Sequence, residues 1–295
     1  MILLDRRAAL GDVIMTTPVI RELRRRYPEA HIQVVTDEPA VLANNPDVSK
    51  VVLPSEMEKK DPWDIYINLN DAYETQVSSH YIESYLDRAF GESRDQVTDR
   101  DTAMYPTDDE KAAVDEALAD GKIKDYVVVH MRRWAWENKN IDFQIWSALF
   151  TRLQEKYPDL AIISIGAKYD MRVPALPGYV DLVEQLSLGE IQYLIGQAKA
   201  FIGPDSGPFH IAGTTKTPIV ALISHLLPEQ ILPWRDGEFG KDITVVLSGV
   251  PCVGCYARQT PPVNNLTCEN DVQWACNKAF DNLEMFRAME AILDK

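Results

Sequence analysis

Short apolar runs that alternate with amphipathic stretches constrain the fold of this chain more than any other feature. The apolar runs predict strands at 1–6, 31–36, 50–54, 64–69, 125–130, 160–165, 180–183, 199–203, 218–223 and 243–247. The amphipathic stretches predict helices at 11–27, 74–90, 108–119, 142–156, 188–197, 207–214 and 279–293. Such alternation is typical of parallel sheets covered by helices. We therefore predict an α/β protein.

The length of the chain and one polar interruption predict two domains. Its 295 residues, 46% of them hydrophobic, exceed the usual size of one domain and suffice for two cores. A polar stretch at 92–109, followed by Gly121 and Lys122, interrupts the alternation near the middle. We expect a first domain at 1–120, a second at 121–278, and a last helix within 279–295 that packs back toward the first domain.

The acidic charge balance limits the partners of the chain. Its net charge is −15 and its pI is near 4.8, whereas nucleic acid and anionic membranes reward a basic surface. A local exception surrounds the first predicted helix, where six arginines form either an anion-binding face or a solvated helix end: Arg6, Arg7, Arg21, Arg24, Arg25 and Arg26. No apolar run approaches the ~18 residues of a membrane span, and no signal-peptide pattern opens the chain, so we expect a cytoplasmic protein.

The segment FIGPDSGPFHIAGTT carries the clearest binding signal. An apolar strand ends in a Gly-Pro turn and a helix follows with Pro208 in its first turn, which leaves the amides of Ser206 and Gly207 unpaired. Such amides suit a phosphate, and His210 is near enough to donate another hydrogen bond. A plain strand-helix connection with Asp205 or Ser206 as N-cap is the alternative.

A second motif stands nearly two hundred residues earlier, in the opening MILLDRRAALGDVIMTTPVIRELRRRYPEA. Together the two motifs resemble the family 9 glycosyltransferases, which include the lipopolysaccharide heptosyltransferases. The N-terminal signature of that family is matched by Gly11, Asp12, Pro18, Leu23, Arg24 and Pro28, and the C-terminal one by Asp205, Ser206, Gly207, Pro208 and His210. The resemblance implies the GT-B architecture, in which two Rossmann-like domains face each other across a cleft.

Asp12 is the candidate catalytic residue. Glycosyl transfer to a hydroxyl needs a group that accepts the acceptor's proton while the anomeric carbon becomes cationic, and a carboxylate serves both needs. The resemblance implies inversion by a single displacement, with Asp12 as general base on the N-terminal domain and the donor on the C-terminal domain. An N-cap of the first helix is the alternative.

The donor site is expected after the strands of the second half. Lys139 keeps the position of a family lysine, although Ile141 and Asp142 replace the Trp-Pro pair that usually follows it. We expect Lys139, with Arg132 and Arg133, to neutralise the diphosphate, so that no cofactor or divalent metal is required. The other predicted donor-binding residues are Gly11 and the motif residues Asp205, Ser206, Gly207, Pro208 and His210. The resemblance implies that Asp170 binds the nucleotide ribose, and a cap of the next helix is the equal alternative. Trp134 and Trp136 could stack on a base or sugar, or simply pack.

Four cysteines fall close together near the end of the chain: Cys252, Cys255, Cys268 and Cys276. In a cytosolic protein such clustering suggests a metal more than disulfides. A structural zinc would need all four thiolates to converge, and only Cys252-x2-Cys255 has the ideal spacing. Reduced thiols packed in a loop are the alternative.

The sequence does not determine the acceptor substrate. A nucleotide-sugar donor (ADP-heptose-like) and a hydroxyl acceptor such as a lipopolysaccharide core sugar are implied by the resemblance, but residues 55–120, on the acceptor side, carry few family landmarks. The alternatives are transfer to another acceptor such as a hydroxymethylated DNA base, a nucleotide-sugar epimerase or hydrolase, and a binding protein without activity. The oligomeric state is left open.

Overall fold

Two parallel sheets form the framework of the molecule. The computed structural model describes residues 1–57, 63–133, 137–173, 176–263 and 266–295. Its strands are β1 (Ile2–Asp5), β2 (Ile32–Val35), β3 (Lys50–Val52), β4 (Ile65–Asn68), β5 (Tyr126–His130), β6 (Ala161–Ile165), β7 (Tyr179–Asp181), β8 (Ala200–Pro204), β9 (Ile219–Ile223), β10 (Trp234–Arg235), β11 (Glu238–Phe239) and β12 (Ile243–Leu247). The sheets run β3-β2-β1-β4 and β12-β9-β8-β5-β6-β7, and β10 pairs with β11 in a hairpin. The α/β class and all ten predicted strands are confirmed.

Helices connect the strands and cover the sheets. They are α1 (Leu10–Met15), α2 (Thr17–Arg26), α3 (Tyr81–Phe90), α4 (Asp108–Asp120), α5 (Phe143–Lys156), α6 (Leu188–Gln197), α7 (Gly207–Gly213), α8 (Pro228–Ile231) and α9 (Asn282–Leu293). The prediction of one helix over 11–27 was wrong. Pro18 has no N–H for the Ile14 carbonyl, which accepts a hydrogen bond from the Thr17 hydroxyl instead at 2.8 Å, so the helix breaks and restarts. The helix predicted from 74 begins only at Tyr81.

The second sheet is buried on both faces. Every residue of β5, β8 and β9 is buried, as expected of central parallel strands. Val127 and Val129 pack on one face with Trp146 of α5 and Met285 of α9, whereas Val128 joins the larger core on the other face. The alternate valines of one strand thus hold two helical layers against the sheet.

The helices that flank the second sheet depart from the expected domain limits. Helix α4, expected in the first domain, packs against α6, and the Ser187 hydroxyl donates to Glu110 at 2.7 Å. The expectation that the last helix returns to the first domain was also wrong, because the apolar face of α9 packs on α5 and the second sheet. The amphipathic pattern of α9 predicts a buried face but does not indicate which sheet this face packs against.

The two halves meet where α1 contacts α7. Gly11 allows this approach, because a Cβ at this position would collide with the ring of His210. The contact brings together loops that follow β1, β5, β8 and β9, at the carboxyl ends of their strands, where open parallel sheets bind ligands. One cavity is lined by residues from all four of these loops.

Candidate active site

A cavity of about 250 Å³ lies between the two sheets. Its N-terminal wall includes Ala9, Gly11, Asp12, Tyr73, Glu74 and Tyr81, and its C-terminal wall includes Arg132, Lys139, Asp205, Ser206, Gly207, His210, His225 and Tyr256. The two sequence motifs therefore converge on one site. Carboxylates stand on both walls, but the cationic side chains among these lining residues come from the C-terminal wall alone.

Asp12 is held in the N-terminal wall by three donors. One carboxylate oxygen accepts from the amide of Ala9 at 2.9 Å, and the other accepts from the Tyr85 hydroxyl at 2.9 Å and lies 3.1 Å from Nη2 of Arg6. The side chain is 13% exposed. Asp12 thus makes a helix-capping hydrogen bond and lines the cavity at the same time.

A buried arginine supports this wall. Arg6 was expected on an exposed basic face, but its side chain is only 4% exposed and lies over the rings of Tyr73 and Tyr85. Burial alone would lower the pKa of Arg6, but its neighbours, Tyr85 and Asp12 foremost, raise it above its ordinary value. The guanidinium therefore stays charged beside Asp12.

Glu74 is a second carboxylate of this wall that sequence reasoning missed. Its Oε1 lies 3.6 Å from Nη2 of Arg6, and its Oε2 has no hydrogen-bond partner among the described residues. Burial raises the pKa of Glu74. No motif surrounds this residue, and the signal available in the sequence was only its place beyond the carboxyl end of a predicted strand.

Asp205 organises the C-terminal wall. Its carboxylate lies 2.5 Å from Nζ of Lys139 on one oxygen and 3.1 Å from Nε2 of His210 on the other. Burial alone would raise the pKa of Asp205, but the charge of Lys139 and the hydrogen bond from His210 hold it well below its usual range. Asp205 is therefore ionised and fixes a lysine and a histidine at the edge of the cavity.

A hydrogen-bonded chain runs from Asp170 to the turn before α7. Nε2 of His130 lies 3.1 Å from Asp170, and Nδ1 lies 2.9 Å from the Ser206 hydroxyl. The amides of Ala167 and Arg133 also donate to Asp170, whose side chain is 7% exposed. The carboxylate thus orients His130 and joins two loops, and the ribose contact expected of it stays a prediction.

The predicted site residues fall into three places. Gly11, Asp12, Arg132, Lys139, Asp205, Ser206, Gly207 and His210 line the cavity between the sheets. Pro208 and Asp170 line a neighbouring cavity. The side chain of Arg133 is exposed at a separate surface depression. Trp134 and Trp136 lie outside the described residues.

The arginines of α2 do not form a free basic face. Arg25 and Arg26 both bind Glu22, Arg21 lies 2.9 Å from Asp99, and Arg24 donates to three backbone carbonyl oxygens. These bonds tie the end of the helix to adjacent loops. The alternative of a nucleic-acid docking face therefore loses its main sequence support.

The four cysteines are free thiols that line one small cavity of about 10 Å³. Burial raises the pKa of Cys255 to about 11 and also raises the pKa of Cys276. Across the described parts of the chain, no group of three or more His, Cys, Asp or Glu side chains is placed to hold a metal ion.

The described helices include none that is long and apolar enough to cross a membrane.

Two parallel α/β units that face each other across such a cavity form the GT-B architecture. Comparison with known proteins identifies the family: residues 60–262 match the model described as glycosyltransferase family 9 (heptosyltransferase), and the chain belongs to this family. It is an enzyme of the glycosyltransferase type.

Individual relatives agree with this assignment. The chain is 24% identical over 276 residues to lipopolysaccharide heptosyltransferase 3 of Escherichia coli, with 72% of this chain and 80% of the relative covered. Its fold is similar to that of a family 9 glycosyltransferase from Veillonella parvula (TM-score 0.76, 16% identity, 100% of this chain and 97% of the other). It is also similar to the E. coli ADP-heptose lipopolysaccharide heptosyltransferase II (TM-score 0.68, 14% identity, 99% and 98%).

Proposed function

We propose that the protein transfers a heptose from a nucleoside-diphosphate heptose to a hydroxyl group of the lipopolysaccharide core. Family membership supports the reaction type, and the names of the two E. coli relatives support the sugar and the acceptor. The main support for the proposal is that a carboxylate and cationic side chains face each other across one cavity. Asp12 stands on one wall, and Lys139 and Arg132 stand on the other.

Asp12 is the proposed general base. As the acceptor hydroxyl attacks the anomeric carbon, its proton passes to the Asp12 carboxylate, while the bond to the diphosphate breaks on the opposite side. Base and leaving group on facing walls suit a single displacement with inversion. Tyr85 and Arg6 hold the carboxylate in place, so its position does not depend on the substrate.

The leaving diphosphate is the proposed ligand of the C-terminal wall. Lys139 and Arg132 bring positive charge, and the amides of Ser206 and Gly207 add hydrogen-bond donors. These groups can offset the developing negative charge without a divalent metal, so we propose metal-independent transfer. The cytoplasm remains the predicted place of the reaction.

The reaction itself provides the test. The protein is incubated with ADP-heptose and a truncated lipopolysaccharide core, and ADP release is followed with and without acceptor and with EDTA. Acceptor-dependent release that EDTA leaves unchanged, with an inverted anomeric configuration by NMR, is expected. Equal release without acceptor would indicate a hydrolase, and no release with any nucleotide sugar would contradict the proposal.

The structural zinc site requires a separate measurement. Four thiols around one small cavity are suitable zinc ligands by chemistry, whereas their positions do not form a ligand group. We propose that reduced, packed thiols fill this region. Elemental analysis of the purified protein is expected to find less than one equivalent of zinc or iron. A full equivalent that Cys255→Ser removes would establish the metal site instead.

A further inference from the structure

A second cavity, of about 500 Å³, adjoins the one between the sheets. The two share Ala9, Arg132, Ser206 and Gly207 as lining residues. A ligand whose diphosphate lies against this shared border can therefore extend into the first cavity on one side and the second on the other. The sugar must reach Asp12 in the first cavity, which leaves the second for the nucleoside. This assignment depends on the proposed function.

The walls of the second cavity suit a flat aromatic ring. They are formed largely by aliphatic side chains from both halves of the molecule: Leu10, Leu186, Leu188, Ile191 and Ile211. Apolar walls bind any nucleobase by area and do not distinguish one from another. Discrimination needs a polar group that is free to bind the edge of the base.

Most polar side chains of this cavity are already engaged. Both nitrogens of His130 and both oxygens of Asp170 have partners, and Arg132 donates to Asn140 at 2.9 Å. Glu38 differs from these three, because the described residues provide its carboxylate with neither a hydrogen bond nor an ion pair. It is half-buried in the loop after β2, on the half of the molecule opposite the cations.

We propose that Glu38 binds the edge of the donor's nucleobase and selects bases that present an amino group. A carboxylate only accepts hydrogen bonds when ionised. Adenine, cytosine and guanine each offer an exocyclic amino group, whereas the exocyclic oxygens of uracil are acceptors and its ring N3–H is the one donor on that edge, so uracil forms fewer hydrogen bonds with the carboxylate. Glu38 is then a specificity-determining residue supplied by the N-terminal half.

Burial of Glu38 agrees with this role. Desolvation, with Asp37 as a smaller cause, raises the pKa of its carboxyl, which is the effect of partial burial without a compensating cation. Because no described hydrogen bond is lost on substitution, variants at this position should keep the fold.

The test compares ADP, CDP, GDP and UDP in binding to the intact protein by titration calorimetry. In the wild type, at least one amino-bearing nucleotide is expected to bind tenfold or more tightly than UDP. Glu38→Ala should reduce that ratio to within about threefold, and Glu38→Gln should restore part of it, because its amide oxygen still accepts. Asp37→Asn removes the same charge at the preceding residue, and it should leave the ratio of nucleotide affinities unchanged.

The ratio separates this inference from the proposed function. Removal of a negative charge strengthens the binding of every diphosphate, so absolute affinities do not decide the matter. Two results would overturn the role of Glu38 without affecting the proposed function. One is a Glu38→Ala variant with the same ratio of nucleotide affinities as the wild type, and the other is a wild-type preference for UDP. Failure of the wild type to bind any of the four would overturn the proposed function together with it.

Discussion

The two walls of the cleft use the same kind of side chain for different purposes. On the C-terminal half, each oxygen of Asp205 in the wall, and of Asp170 in the neighbouring cavity, has a partner within the protein, namely a lysine, a histidine or a backbone amide. On the N-terminal wall, Asp12 is bonded by Ala9, Tyr85 and Arg6. Glu74 shares only this arginine, and its Oε2 has no partner among the described residues. On the C-terminal wall a carboxylate thus positions Lys139 and His210, whereas on the N-terminal wall Asp12 is held facing the cavity and Glu74 keeps one oxygen without a described partner.

For Asp205 and Glu74, the partners of the carboxylate indicate its role better than membership of a motif does. Asp205 belongs to the signature motif, yet its geometry makes it a positioning residue for Lys139 and His210. Glu74 belongs to no motif, yet it faces the same cavity as Asp12. Each of the following predictions changes one member of this comparison.

Asp12→Asn is expected to give the largest effect. Loss of the base should lower turnover by about 10²–10⁴-fold, while donor affinity should stay within about twofold because the donor's diphosphate binds the other wall. Glu74→Gln is the matched control, since it changes a carboxylate of the same cavity to an amide, and its turnover should fall far less. Initial-rate kinetics and donor titration measure both quantities. An equal loss in the two variants would show that Asp12 has no special role.

Lys139→Met should weaken diphosphate binding by about 10–100-fold, because a charge-assisted hydrogen bond contributes about 1.5–3 kcal/mol. The single variant leaves Asp205 buried without its cation, which is expected to destabilise the fold by up to about 3–5 kcal/mol. The double variant Lys139→Met/Asp205→Asn should recover most of that stability but only part of the affinity, because it removes the Asp205 charge without restoring a cation. Urea denaturation and titration calorimetry separate the two effects. Wild-type affinity in the double variant would remove Lys139 from the phosphate site.

Asp170→Asn tests the orienting role of this carboxylate against the ribose contact. The fold should lose about 1–3 kcal/mol, because His130 and two amides lose a charged acceptor. If Asp170 acts only within the protein, the variant weakens a nucleoside diphosphate and its 2′-deoxy analogue equally. A loss confined to the ribonucleotide, measured by competition, would instead establish a bond between Asp170 and the ribose.

His80 links the two halves and predicts a milder, pH-dependent effect. Its Nδ1 accepts from the amide of Ile82 at 3.1 Å, and its Nε2 donates to the Leu232 carbonyl at 3.0 Å, so the neutral ring is required. Burial lowers the pKa of His80 from 6.5 to about 4. The unfolded chain therefore binds the proton first, and stability falls as the pH drops from 6.5 toward 4, by at most about 1.4 kcal/mol per pH unit for this group.

Thermal unfolding across this pH range measures the effect of His80. His80→Asn keeps a side-chain acceptor for the N-cap but does not titrate, so its melting temperature should fall less steeply with acid than that of the wild type. Parallel curves for the two proteins would show that another group causes the acid sensitivity.

The sequence predicted the strands well because the central strands are apolar throughout. It also predicted the Asp205–His210 turn, because a strand end, a turn and a helix start are local events. The break near Pro18 was readable, since a proline stood inside the predicted helix. Arg6, Glu74, Tyr85 and Glu38 were not predicted as site residues, because only the packing of distant segments brings them to the cleft. The position of α9 on the second sheet was not predicted either, because it depends on tertiary packing.

The most direct test of the central claim is to titrate the wild-type protein with a nucleoside and with its diphosphate, in low and in high salt. If cations on the C-terminal wall provide the binding energy, the diphosphate binds at least about tenfold more tightly than the nucleoside, and salt reduces this difference. Equal affinities in low salt would contradict the separation of roles between the two walls.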